Sequence, residues 1–210
     1  DAGISDGFQW FRYTKGNNMC YLLCTITVMQ VMKTLRTILE SLSDREHYLF
    51  RVSDFYSVFP KHSYAALKML LSRAVKDGVL VRVCRGIYLN PRVEYPRGLV
   101  LYHTAAKLRA GEFNYLSLET VLSEAGVISQ IPIAWISLMS SGRTYTVECG
   151  EFGSIEFIHT KKQPDDIADR LIYDSRYRLW RARVGLALED MRSTGRSMDL
   201  IDWGVADELV

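Results

Sequence analysis

Residues 62–91 read HSYAALKMLLSRAVKDGVLVRVCRGIYLNP, and the parse of this stretch decides the fold. Ser63 stands where a helix N-cap belongs, because its hydroxyl can accept an otherwise unpaired N–H of the first turn. From Tyr64 to Asp77 the residues Leu67, Leu70, Leu71, Ala74 and Val75 fall on one helical stripe. Tyr64, Lys68, Ser72 and Lys76 fall on the opposite side, with Arg73 at the border. Gly78 suits a C-terminal cap with positive φ. Val79 to Cys84 then alternates as a strand does, Arg85-Gly86 makes a turn, and Ile87 to Leu89 returns before Asn90-Pro91. The stretch predicts a helix followed by a β-hairpin.

Upstream, Leu35, Ile38, Leu39 and Leu42 predict one face of a helix over residues 33–42. HYLFRV (47–52) suits a short strand or extended link. Ser53 is placed to cap a short helix from Asp54 to Phe59, which Pro60 ends. Helix, short helix, turn, longer helix and hairpin is the order of a winged helix-turn-helix, in which the longer helix enters the DNA major groove.

Charge supports that reading. The net charge of the chain is only +2, but residues 32–92 hold eleven Lys/Arg against five Asp/Glu, and residues 93–210 hold thirteen against seventeen. A basic half joined to an acidic half points to a polyanion-binding module beside a unit with another task. The residues placed to meet DNA are Lys61, His62, Ser63, Tyr64, Lys68, Ser72, Arg82 and Arg85, at the helix start, along its exposed side and on the hairpin. The competing reading is a solvated basic face on a helical domain that binds protein.

The second half predicts helices over 99–108 and 114–128, the first with Lys107 and Arg109 exposed and the second with Ser117 as its N-cap. Three strands are expected in 134–141, 143–149 and 154–160, as an antiparallel meander. A helical turn at Pro164-Asp165-Asp166 and a helix from Tyr177 to Met191, with Trp180 facing inward, follow. The fold class is therefore α+β: an N-terminal winged helix-turn-helix and a C-terminal domain of helices and antiparallel sheet.

The four cysteines (Cys20, Cys24, Cys84, Cys149) form neither a zinc-spacing pattern nor a disulfide scaffold, so reduced thiols in a cytoplasm are expected. The apolar run 19–32 is too short and too polar to span a membrane. No metal, cofactor or catalytic motif is expected among HExxH, Walker, GxSxG or GxGxxG patterns. Glu148 and Glu156, on neighbouring strands, are the candidates for a metal-dependent nuclease, and Cys149 for a nucleophile without a flanking base. RYRLWRARV (176–184) reads as a second nucleic-acid patch, an interface for an acidic partner, or a helix face paired with Asp165, Asp169 and Asp174.

The stretch LSRAVKDGVLVRVCRGIYLNP (71–91), with YLSLETVLSEAGVI (115–128) and LIDW (200–203), resembles the AbiEi antitoxins of type IV toxin–antitoxin (abortive infection) systems over about residues 33–205. The resemblance implies a winged helix that binds inverted repeats in double-stranded DNA at its own promoter, through the region Lys61 to Lys68 and Arg82 to Arg85. It implies a C-terminal domain that opposes a nucleotidyltransferase-like toxin without a stable complex, and no enzymatic activity. Inverted repeats call for two protomers per operator, as a dimer or cooperatively. The expected organisation is a peripheral leader (1–31), or a docked segment using Trp10, Phe11 and Tyr13; the winged helix-turn-helix (32–92); and the antitoxin domain (93–210). A winged-helix regulator with a ligand- or protein-sensing C-terminal domain is the alternative, and the nuclease a third reading.

Overall fold

The computed structural model describes residues 29–129 and 134–210. Most of the expected leader, Trp10, Phe11 and Tyr13 included, lies outside the described residues. The first described helix, α1 (29–42), already runs at residue 29. It buries Met32, Leu35 and Leu39, whereas Leu42, expected on the same face, is exposed. Strand β1 (Leu49–Arg51) follows, then a 3-10 turn, Val52–Phe55. That turn corrects the helix expected from Asp54 to Phe59. Arg51 rather than Ser53 stands at its cap, and the Asp54 carboxylate accepts the Arg51 N–H at 2.8 Å.

Helix α2 spans Tyr64–Lys76, and the Ser63 hydroxyl accepts the Ala66 N–H at 3.2 Å. Its stripe of Leu67, Leu70, Leu71 and Ala74 is buried. Gly78 (φ 65°) turns the chain so that the Val79 N–H reaches the Ala74 carbonyl at 2.8 Å. Strands β2 (Val81–Cys84) and β3 (Ile87–Leu89) form the hairpin around Gly86, whose φ of 87° favours glycine. The sheet order is β1-β3-β2, antiparallel throughout. The winged helix-turn-helix order expected from the sequence is present.

This small sheet is covered on both faces. Phe50 and Tyr88 join the core formed with Leu35, Phe55, Leu67 and Leu71 under the helices. Leu49, Val83, Cys84, Ile87 and Leu89 belong instead to the core of the C-terminal half, with Leu101, Tyr115 and Phe157. A fully buried aliphatic side chain contributes about 1.5–3 kcal/mol, so the outward face of the hairpin is a substantial apolar joint. Tyr48 strengthens it by stacking on Tyr95 with centroids 5.4 Å apart.

The Tyr48 hydroxyl also lies 2.7 Å from His103 Nδ1, and His103 Nε2 lies 2.7 Å from the Arg176 carbonyl. A carbonyl only accepts, so Nε2 carries the proton and Nδ1 accepts from Tyr48. Burial holds the His103 pKa below its ordinary value, against the hydrogen bond to Arg176. The folded protein thus prefers the neutral ring. Its stabilising contribution is complete above the unfolded pKa of about 6.5 and is lost as pH falls through that value toward the folded one. Thermal melting between pH 7.5 and 5 is expected to show a loss on acidification that is smaller in His103→Gln. An identical pH dependence in the variant would refute the assignment.

The C-terminal half contains α3 (Val100–Leu108), β4 (Asn114–Leu116), α4 (Leu118–Glu124), β5 (Trp135–Ser140), β6 (Tyr145–Glu148), β7 (Ser154–His159), β8 (Leu171–Asp174), β9 (Leu179–Ala182), α5 (Val184–Ser193) and α6 (Trp203–Leu209). Its six strands run in the order β6-β7-β5-β4-β9-β8. The α+β class stands, but the sheet is mixed: β5 pairs with β7 in parallel, from Trp135↔Ser154 to Ser140↔His159, and β4 pairs with β9 in parallel. The expected meander is corrected because β7 inserts between β5 and β6. The burial patterns give the reason. β5 is buried along nearly its whole length, as an interior strand must be, whereas β6 exposes three of its four residues and lies at the edge.

Two expected helices are each a strand and a helix. Residues 114–116 form β4 before α4, and 179–182 form β9 before α5, so Trp180 is exposed instead of inward. Arg109, expected exposed, is largely covered: its guanidinium lies 4.3 Å from the Phe157 ring centroid and donates to Ser140 Oγ at 2.7 Å. Ser117 occupies the cap position of α4 but does not cap it. Its hydroxyl donates to Asp190 at 2.6 Å. Asp190, fully buried on α5, also accepts from Tyr115 (3.1 Å) and from Lys162 (2.7 Å). Burial pushes the Lys162 pKa down, but the hydrogen bonds to Asp190 and Glu189 outweigh it and hold the pKa above the usual lysine value. The segment LIDW pins the end of the chain: Ile201 bridges Ile128, and the Asp202 carboxylate caps α6. Among the described residues no helix is long and apolar enough to cross a membrane.

Candidate nucleic-acid interface

The apolar stripe of α2 fixes which of its residues face out. Tyr64, Lys68, Met69, Ser72, Arg73 and Lys76 are exposed, as are Lys61 before the helix and Arg82 and Arg85 on the hairpin. Lys68 Nζ stands 5.6 Å from the Tyr64 ring centroid, which places an aromatic and a cation together on the first turns of the helix. Arg82 is steered by its own strand, since its Nε–H donates to the Cys84 carbonyl at 3.3 Å. Arg85 sits at the turn itself.

Of the eight residues singled out from sequence, Lys61, Ser63, Tyr64, Lys68, Ser72, Arg82 and Arg85 are exposed on this helix–hairpin unit. Ser63 and His62 also have structural roles. The Ser63 hydroxyl caps the helix by accepting the Ala66 N–H, and its O–H and second lone pair remain for an outside partner. The His62 ring packs edge-on against Phe59 (centroids 5.4 Å apart), and its Nδ1 is buried without a partner among the described residues. Met69 and Arg73 were not singled out as contacts, although helical spacing from Ser72 and Lys76 carries them onto the exposed side.

Electrostatics leave the cations of this surface without carboxylate partners among the described residues. Among the described residues, the ion pairs of the first half are His47–Asp44, Arg51–Asp54, Arg92–Glu40 and one shared with the second half, Lys107–Asp54. Lys61, Lys68, Arg73, Lys76, Arg82 and Arg85 take part in none of them. In the second half, Arg97, Arg109, Lys162, Arg170, Arg176, Arg181 and Arg196 pair with carboxylates, whereas Arg143, Lys161, Arg178, Arg183 and Arg192 form no ion pair among the described residues. The unpaired cations of α2 and the hairpin keep their charge available for an external anion.

The Arg-rich run 176–184 is largely used internally. Arg176 binds Asp174 at 2.8 Å, Arg181 binds Glu124 at 3.4 Å, and Arg178 and Arg183 donate to the carbonyls of Glu46 and Asp169. It lies on the β8–β9 hairpin and its exit, not on a helix face. The two nuclease candidates have separate partners: Ser154 donates to Glu148, while Arg196 (2.6 Å) and Ser137 (3.1 Å) donate to Glu156. Among the described residues no group of three or more His, Cys, Asp or Glu side chains is arranged to hold a metal ion. Cys149 is fully buried, and its hydrogen bond with Cys84 together with that burial raises its pKa far above the ordinary thiol value, which disfavours the nucleophilic thiolate.

The helix–hairpin unit coincides with a family match. Residues 38–91 match the family model described as transcriptional regulator, AbiEi antitoxin. The match ends at Pro91, so the stretches 115–128 and 200–203 lie outside it. No curated protein matches the chain. The similarity of this chain to the AbiEi antitoxin regulators is thus confined to residues 38–91, the helices and hairpin that carry the exposed cations.

Proposed function

We propose that the protein is a non-enzymatic autorepressor and antitoxin, acting in the cytoplasm, that binds inverted repeats in its own promoter through α2 and the hairpin. Its C-terminal half would counteract a nucleotidyltransferase-like toxin. The observation that carries the DNA part is the set of cations on α2 and the hairpin that have no ion-pair partner among the described residues. Phosphate neutralisation by such groups supplies affinity, and side chains on the first turns of α2 supply base contacts. Tyr64 and Lys68 are the residues best placed for that second task. The family description supports the antitoxin part.

Binding of the purified protein to a duplex carrying its own promoter, against a random duplex of equal length, tests the proposal. Tyr64→Ala and Lys68→Ala are each expected to lower the preference for the promoter by roughly 1–3 kcal/mol while weakening random binding less. Equal losses on both duplexes would show that α2 does not read sequence. A second reading, a regulator whose C-terminal half senses a ligand, draws on a cleft of about 540 Å³ beside Glu124, Tyr173, Arg181 and Leu209. Coexpression with the adjacent toxin separates the two: rescue of growth supports the antitoxin, and unrelieved toxicity supports the sensor.

A further inference from the structure

The hairpin turn, the start of α2 and the end of α3 enclose a cleft of about 300 Å³ whose lining includes Arg51, Ser53, Tyr64, Arg85 and Lys107. Three of these are cations, and a single carboxylate is set among them. Asp54 lies 3.4 Å from Arg51 Nε and 3.7 Å from Lys107 Nζ. Arg85 has no ion-pair partner among the described residues. The cleft therefore carries an excess of positive charge, and it opens beside Tyr64 and Arg85, two members of the surface described above. Arg51 is held in place by its donation to the Lys107 carbonyl at 3.5 Å, near the C-terminal end of α3. The side chains of Arg51 and Lys107 remain 43% and 31% exposed, so both can reach an incoming anion. Burial lowers the Lys107 pKa; Asp54 raises it, and Arg51 and Arg178 lower it further, as expected where cations outnumber their counter-charges.

We propose that this cleft seats one phosphodiester of the DNA backbone, which makes Lys107, a residue of the C-terminal half beyond the family match, a direct DNA contact. The assignment rests on the DNA-binding reading and extends it. The region of the family match would then not carry the whole footprint: α3 would add a cation to it.

Fluorescence anisotropy of the full chain on a random duplex, titrated between about 50 and 200 mM salt, tests it. Lys107→Gln is expected to flatten the slope of log K against log salt by about 0.9, the value of one phosphate, and Lys107→Arg to keep the slope. Asp54→Asn keeps an acceptor for the Arg51 N–H while removing the competing charge. It is expected to tighten binding and leave the slope at least as steep, a gain that a misfolded variant cannot imitate. A wild-type slope in Lys107→Gln, or unchanged affinity in Asp54→Asn, would overturn the cleft assignment and leave the DNA reading intact. Absence of salt-dependent binding by the wild-type chain would overturn both.

Discussion

Replacing Arg82 and Arg85 together by alanine is expected to weaken binding to every DNA sequence and to flatten its salt dependence by up to about 2, roughly one per lost phosphate contact. At about 0.1 M salt, a loss of two such contacts corresponds to a drop in affinity on the order of 10- to 100-fold. The expectation follows from position. Both residues are exposed, neither has an ion-pair partner among the described residues, and the Cys84 carbonyl and the turn at Gly86 hold them at the outer edge of the hairpin. Folding should change little, because substitutions at such surface sites usually fall within about ±0.5 kcal/mol. A salt slope equal to that of the wild type, with melting unchanged, would show that the hairpin does not touch DNA.

The largest effect on stability is expected at Asp190. Asp190→Ala removes one of the two carboxylates bound to Lys162 and the acceptor of Ser117 and Tyr115 in one step. Breaking a buried pair by deleting one member costs about 3–5 kcal/mol, mainly because the remaining groups stay buried without their bonds. For a chain of this size that corresponds to a fall in melting temperature on the order of 10 °C. Combining Asp190→Leu with Lys162→Met replaces both members by apolar groups and should recover part of the loss, but the hydroxyls of Ser117 and Tyr115 remain unpaired. A melting temperature for Asp190→Ala within about 2 °C of wild type would remove the carboxylate from its assigned role.

The parts that were legible in the sequence are those that a few neighbouring residues determine. The cap at Ser63, the stripe of α2 and the glycines at 78 and 86 each act over one turn, and each is found where the sequence places it. The charge of the interface was legible for the same reason: a surface with few nearby acids announces itself as a run of one sign. β4 and β9, no shorter than β2 and β3, were not legible because no turn glycine sets either strand off from the helix that follows. Each also leads into a helix through a residue with positive or extended backbone rather than through glycine: Leu118 has φ 57°, and Arg183 has ψ 161°. The apolar residues of strand and helix therefore merged into one apparent helical face. The surroundings of the His62 ring and of the Lys107 ammonium were not legible, because they come from Phe59 and from Asp54 through the way the chain folds.

The sharing of the small sheet between two cores has a consequence for synthesis on the ribosome. The helices of the first half and their side of the sheet can assemble once residue 91 has emerged. The opposite side, with Leu49, Val83, Ile87 and Leu89, finds its cover only when α3, β4 and β7 have followed. At about 5–20 residues per second, that interval lasts several seconds, during which an apolar strand surface faces water. The nascent chain thus passes through a stage in which a chaperone, rather than its own C-terminal half, is the natural occupant of that surface.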